Sequence, residues 1–112
     1  MDFNDLLNLM VEKKSSDLFI TDGVAPSMKI NGQIVPISKN SLSGEVIGQL
    51  LHSIMSEKQR KEFAETRECN FAIMNRDKTA RFRVSAFQQR DMPGMVLRRI
   101  ETKIPSIDDL QL

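Results

Sequence analysis

The stretch ARFRVSAFQQRDMPGMVLRRIE, residues 80 to 101, decides the fold prediction. Its two apolar segments, ARFRVSAF at 80–87 and GMVLRRIE at 94–101, are short and rich in β-forming residues, and turn residues at 88–93 separate them. In the first segment apolar and polar residues alternate with the period of two that is typical of a strand with one buried face. The stretch therefore predicts an antiparallel hairpin.

The rest of the chain predicts four more strands and three helices. The strand segments are bounded by turn residues, and Asn31-Gly32 is the signature of a two-residue hairpin. Pro36 favours an edge position for the strand that contains it, because proline cannot donate to a ladder. The predicted strands are DLFIT at 17–21, SMKI at 27–30, QIVPI at 33–37 and CNFAIM at 69–74; the predicted helices span about 2–14, 42–54 and 56–67, the last opened by a Ser56 and Gln59 capping box.

This order, α-βββ-αα-βββ, predicts an α+β domain with a mostly antiparallel, PAS-like sheet, because the short connections cannot hold parallel crossovers. Pro105 and the loss of periodicity after Glu101 indicate that regular secondary structure ends near this point. We therefore expect one domain at 1–101 and the start of a linker at 102–112.

Composition restricts the possible functions. The 16 basic and 15 acidic residues give a net charge of +1, so no global field attracts nucleic acid or anionic lipid. Tyrosine and tryptophan are absent, and Phe82 is predicted to face the core, so a base-stacking platform is missing. Cys69 is the single cysteine, which excludes an internal disulfide, and no apolar run reaches the length of a membrane span. These features predict a cytoplasmic protein without nucleic-acid binding or membrane insertion.

Sequence motifs for catalysis are missing from the chain. The five glycines never form GxxxxGK followed by Ser or Thr, so we expect no nucleotide site within the chain itself. His52 has no partner at useful spacing and is predicted to lie at the surface or the rim of the core. Cys69 opens a strand and is predicted to pack as a small apolar residue. No metal site is expected.

Five arginines fall in the predicted hairpin: Arg81, Arg83, Arg90, Arg98 and Arg99. If Phe87 lies opposite Gly94, the register sets Arg83 directly across from Arg98. Like charges facing each other across a ladder are destabilising unless an anion lies near them. Two interpretations remain open here: acidic side chains or water neutralise the pair, or the pair binds an anion such as phosphate.

Motifs along almost the whole chain resemble those of the PilT/PilU family of twitching-motility ATPases, within the type II/IV secretion superfamily. They are LMVEKKSSDLFIT, GVAPSMKINGQIVPI, MSEKQRKEFAE, ECNFAI, RFRVSAFQQR and GMVLRRIETKIPSIDDLQL. The PilU-type branch is favoured because Phe19 follows SDL and Ser85 follows RFRV, where the PilT branch usually has His and Asn. The turn DMPG departs from the family pattern, which leaves the geometry near Arg90 open.

The resemblance implies a hexameric motor whose RecA-like core, absent here, binds ATP and Mg²⁺. It implies that Arg83 and Arg98 reach nucleotide at an ATPase core, with Arg81, Arg90 and Arg99 as weaker candidates. Implied partners are the ATPase cores of the hexamer, a PilT-type ATPase and the inner-membrane platform of the pilus machine, at whose cytoplasmic side the full protein would sit.

A different class of function is a PAS-like sensory module that binds a small ligand inside its sheet. Fold analogy alone supports this alternative. A ligand pocket needs convergent polar groups on an apolar surface, and the residues predicted to face inward are uniformly apolar.

Overall fold

The computed structural model describes residues 3–76 and 78–100, and within them the chain forms three helices and six strands. Their order is the predicted one, so the α+β prediction is confirmed. The elements are α1 (Phe3–Glu12), β1 (Asp17–Ile20), β2 (Ser27–Ile30), β3 (Gln33–Pro36), α2 (Gly44–Ile54), α3 (Glu57–Thr66), β4 (Glu68–Met74), β5 (Arg81–Gln89) and β6 (Met92–Ile100).

The strands form one sheet in the order β3-β2-β1-β6-β5-β4, and all neighbouring strands are antiparallel. The first and last strands, β1 and β6, therefore lie side by side at its centre. β3, which ends at Pro36, is an edge strand as predicted. The β2–β3 turn has positive φ at Asn31 (52°) and Gly32 (80°), as the asparagine-glycine signature predicts.

One face of the sheet forms the core with the helices. Leu18, Val84 and Leu97 project from three adjacent strands and are fully buried, and the helices add apolar side chains to the same cluster. The helical contributions include Met10 of α1, Ile47 and Leu51 of α2, and Phe63 of α3. Phe82 is buried there as predicted, together with four methionines: Met10, Met28, Met55 and Met95.

The opposite face, here called the open face, carries the polar side chains that alternate with the core residues along the strands. In β5, Arg81 and Arg83 are exposed, whereas Phe82 and Val84 between them are buried. Arg81 and Arg83 on this face are therefore accessible to a partner.

The helix boundaries reflect local capping. Ser56 and Gln59 form the predicted capping box at the start of α3, with bonds of 3.2 and 2.9 Å between each side chain and the other residue's backbone N–H. Helix α1 ends at Glu12, two residues earlier than expected, and Lys14 adopts φ of 55°. A left-handed residue at this point ends a helix, and periodicity alone did not reveal it.

The predicted turn at 88–93 is wrong. The β5–β6 ladder continues through the pairs Gln88–Pro93 and Gln89–Met92, so only Arg90 and Asp91 form the turn. Both have positive φ, 56° and 65°. Sequence reasoning missed this turn because arginine followed by aspartate is not the usual pair for such a turn.

Two further points concern the extent of the chain. The predicted linker at 102–112 lies outside the described residues, and the domain boundary at 101 stays a prediction. In the ranges that the structure describes, no helix is both long enough and apolar enough to cross a membrane.

Candidate anion-binding site

Arg83 of β5 and Arg98 of β6 are directly paired across the ladder. Phe87 lies opposite Gly94, as the predicted register requires. Both arginines are exposed, and the side chain of Arg98 is 75% accessible. Cross-strand partners share a face, so the two guanidinium groups extend from the same part of the open face.

A carboxylate lies on the next strand. Asp17 of β1 is the cross-strand partner of Arg98, and its Oδ1 accepts a hydrogen bond from Arg98 Nε at 3.2 Å. Its Oδ2 accepts one from the Ser16 hydroxyl at 2.8 Å. Asp17 is buried although it lies on the open face beside Arg98, and Ser15 and Asn75 outside the strands are buried as well.

The sequence analysis did not identify Asp17. Its position beside Arg98 depends on the pairing of β1 with β6, two strands that are far apart in the sequence. The only local signal was a carboxylate at the start of an otherwise apolar strand, DLFI. The interpretation in which acidic groups neutralise the arginines thus holds for Arg98.

For Arg83 no carboxylate partner is seen among the described residues, and its exposed side chain is open to water or to an anion. No hydrogen bond or ion pair joins the Arg83 side chain to any other residue within 3–76 and 78–100. A shallow cavity of about 360 Å³ lies between the two arginines and is lined by Asp17, Asn70, Arg83, Ser85, Val96 and Arg98. Two guanidinium groups and one carboxylate leave an excess positive charge at this cavity, which favours an anion.

The three weaker candidates separate in space. Arg81 is exposed and shares the open face with Arg83. Arg99 alternates to the other face, where its Nε donates to the Ser15 carbonyl oxygen at 2.9 Å. Arg90 occupies the turn at the opposite end of the hairpin. The structure therefore groups only Arg81 with the pair.

In the part of the chain that the structure describes, His52 and Cys69 do not form a second reactive centre. His52 is exposed, as expected, and its carbonyl oxygen accepts two hydrogen bonds from the Arg60 guanidinium. Cys69 is buried, and this burial, followed by the nearby Glu62 carboxylate, raises the pKa of its thiol. Among the described residues no group of three His, Cys, Asp or Glu could hold a metal ion.

Comparison with known proteins identifies the relatives of this domain. No family model matches the chain. The type IV pilus ATPase PilU of Pseudomonas aeruginosa is 57% identical over 112 residues, which cover 100% of this chain and 29% of that protein. The chain belongs to the PilT/PilU family. It matches the type IV pilus retraction ATPase PilT of the same organism at 34% identity over 110 residues, covering 98% of the chain and 32% of PilT.

Solved structures agree with this membership. The pilus retraction motor PilT with bound ADP superposes with a TM-score of 0.83 at 28% identity, over 96% of this chain and 32% of that one. The Legionella pneumophila ATPase DotB, at 21% identity and a TM-score of 0.73, shares the fold. The chain spans about a third of the length of these PilT/PilU relatives and corresponds to their amino-terminal part. The higher identity to PilU agrees with the predicted branch.

Proposed function

We propose that this chain is the amino-terminal domain of a type IV pilus retraction ATPase and that Arg83 and Arg98 contact the phosphates of nucleotide bound at an ATPase core. The relatives are ATPases by name, and the chain covers about a third of each. The ATP and Mg²⁺ would therefore bind in the part of the protein that follows this domain.

The adjacency of Arg83 and Arg98 on the open face carries this proposal. Guanidinium groups present N–H donors in a fixed fork that matches phosphate oxygens. An arginine supplied to a phosphoryl-transfer site stabilises the charge that develops there and is worth roughly 10³–10⁵ in rate. Arg83 has all its donors available within the described residues, and Arg98 uses only its Nε.

The proposed assembly follows from this role. A domain that lacks a phosphate loop but supplies arginines must meet a core that has one, and a ring of subunits provides such contacts. We propose a hexamer in which these domains contact ATPase cores, working on the cytoplasmic side with a PilT-type ATPase and the inner-membrane platform of the pilus machine. The sensory-module alternative rests on fold analogy alone.

The test uses the full-length protein and measures ATP turnover. Arg83→Ala and Arg98→Ala should each reduce kcat by at least about 10²-fold, because each removes charge stabilisation at the phosphates. Lys58→Ala, which removes an exposed positive charge on α3, is the matched control and should leave turnover unchanged. Wild-type turnover in both arginine variants would reject the proposal.

A further inference from the structure

We infer that Asp17 is a positioning residue that fixes the guanidinium of Arg98 for phosphate binding. This inference rests on the proposed function and adds a residue that acts through Arg98 without contacting nucleotide. Asp17 is not one of the site residues that the sequence predicts, and its role is visible only from the geometry of the sheet.

Asp17 is itself firmly held. Its side chain is 10% exposed, against 75% for Arg98, so the carboxylate is the fixed partner and the arginine the accessible one. The Ser16 hydroxyl donates to Oδ2, and the Ser15 hydroxyl donates to the Asp17 carbonyl oxygen at 2.7 Å. The residue also lies in a strand at the centre of the sheet, with a ladder on each side.

The position of Asp17 among the charges gives the reason for this role. Along one row across the sheet lie Arg83 on β5, Arg98 on β6, Asp17 on β1 and Lys29 on β2. Without the bond to Asp17, the two paired arginines would repel each other, and long exposed side chains would separate in solution. The hydrogen bond from Arg98 Nε to Asp17 Oδ1 holds Arg98 in one arrangement against this repulsion.

The atoms used in the contact leave the binding end of Arg98 available. Asp17 accepts from Nε, and within the described residues neither terminal nitrogen of Arg98 donates a hydrogen bond. A guanidinium held at Nε keeps its terminal donors for a second acceptor. An arginine ordered in advance loses less conformational freedom when phosphate binds. Loss of this positioning should therefore lower turnover.

The experiment compares three substitutions of Asp17 in the full-length protein. Asp17→Asn keeps an oxygen that can accept from Arg98 Nε, and its amide can donate to the Ser16 hydroxyl. Asp17→Glu keeps the charge but moves the carboxylate by one methylene, and Asp17→Ala removes the acceptor. We expect kcat within about threefold of wild type for Asn, and a fall of about tenfold or more for Glu and Ala, since small displacements of a catalytic group are costly.

Glu68→Ala is the matched control, because it removes an exposed carboxylate from β4 without a contact to Arg98. A double-mutant cycle separates positioning from a structural role. In an Arg98→Ala background, Asp17→Ala should cause no further loss of kcat. An equal loss in both backgrounds would mean that Asp17 supports only the fold and would overturn the inference.

Two other results would also overturn it. Higher turnover in both Asn and Ala variants would show that Asp17 competes with phosphate for Arg98. Wild-type turnover with Glu together with a large loss with Asn would show that charge, not hydrogen-bond position, matters.

If Arg98→Ala lowers turnover and Asp17→Ala does not, only this inference fails; if both arginine variants are fully active, the proposed function fails as well. The Glu and Asn variants decide the matter should the Ala variant not fold.

Discussion

Arg83 and Arg98 lie directly opposite each other, but among the described residues only Arg98 has a carboxylate partner, Asp17. The two arginines are therefore not equivalent in their effect on the domain's own stability. Arg83 experiences repulsion from Arg98 without a compensating bond among the described residues. Arg98 satisfies an oxygen of a buried carboxylate.

The substitution Arg83→Ala should leave the free energy of unfolding of this domain within about 0.5 kcal/mol of wild type, or raise it slightly, because it removes a like-charge pair. Arg98→Ala should lower it by about 1 kcal/mol, because Asp17 loses a partner. Urea unfolding of both variants measures the difference. Equal effects would show that the Asp17 contact contributes nothing to stability.

The 112-residue chain should not hydrolyse ATP. Its sequence contains no phosphate loop, and phosphoryl transfer requires this loop together with the Mg²⁺ ligands. Phosphate release by the purified chain should equal that of a buffer blank. Turnover that persists after repeated purification and follows the chain through a size-exclusion column would contradict this expectation.

Substitutions in the β5–β6 turn should be able to stabilise the domain. Arg90 and Asp91 both have positive φ, a conformation that costs energy for residues with a Cβ. Replacing them together by asparagine and glycine should raise the free energy of unfolding by about 1 kcal/mol, because this pair is preferred in such turns. The exposed Arg67–Asp91 ion pair, lost in this variant, is worth little in comparison. A lower denaturation midpoint would refute the prediction.

Two glycines offer a matched pair of alanine substitutions. A Cβ at Gly94 would lie 2.7 and 2.9 Å from two atoms of the Phe87 ring, so the ring must move from its place beside β6. A Cβ at Gly48 in α2 would meet only Pro93 at an ordinary 3.6 Å. Gly94→Ala should therefore lower the melting temperature, and Gly48→Ala should raise stability by up to about 1 kcal/mol through helix propensity. Differential scanning calorimetry of both variants tests this contrast.

The buried thiol predicts a difference in alkaline stability. Burial, and then Glu62, raise the pKa of Cys69 above its ordinary value of 9.0, so the unfolded chain releases this proton at lower pH than the folded one. The thiol's contribution is complete below pH 9.0 and falls as pH rises above that value. Cys69→Ala should lose stability less steeply over this range. Urea titrations of both proteins at about pH 8 and about pH 10, on either side of the ordinary thiol pKa, measure this difference. An equal change in the free energy of unfolding of both proteins would refute the prediction.

The sequence predicted those features that depend on neighbouring residues. Alternation in β5 separated Arg83 from Phe82 and Val84, and the register with β6 followed from one assumed pair, Phe87 with Gly94. The Ser56 capping box and the Asn31-Gly32 turn were likewise local.

Features that depend on distant segments were not predictable in this way. Asp17 and Arg98 are far apart in the chain, and nothing in either segment specifies that β1 lies beside β6. The Arg90-Asp91 turn was missed for a different reason: the ladder on both sides imposes a backbone conformation that these residues do not prefer. The carboxylate partner of Arg98 can therefore be identified only once the strand order is known.

The central place of β6 has a mechanical consequence. The strand is bonded on one side to β1 over four residue pairs and on the other to β5 over nine. A pull along β6 from Ile100 would load both ladders in shear, so their hydrogen bonds would resist together instead of opening one after another as at a peeled edge. Force applied at this end of the domain would thus reach the row that contains Asp17 and Arg98 without first detaching an outer strand.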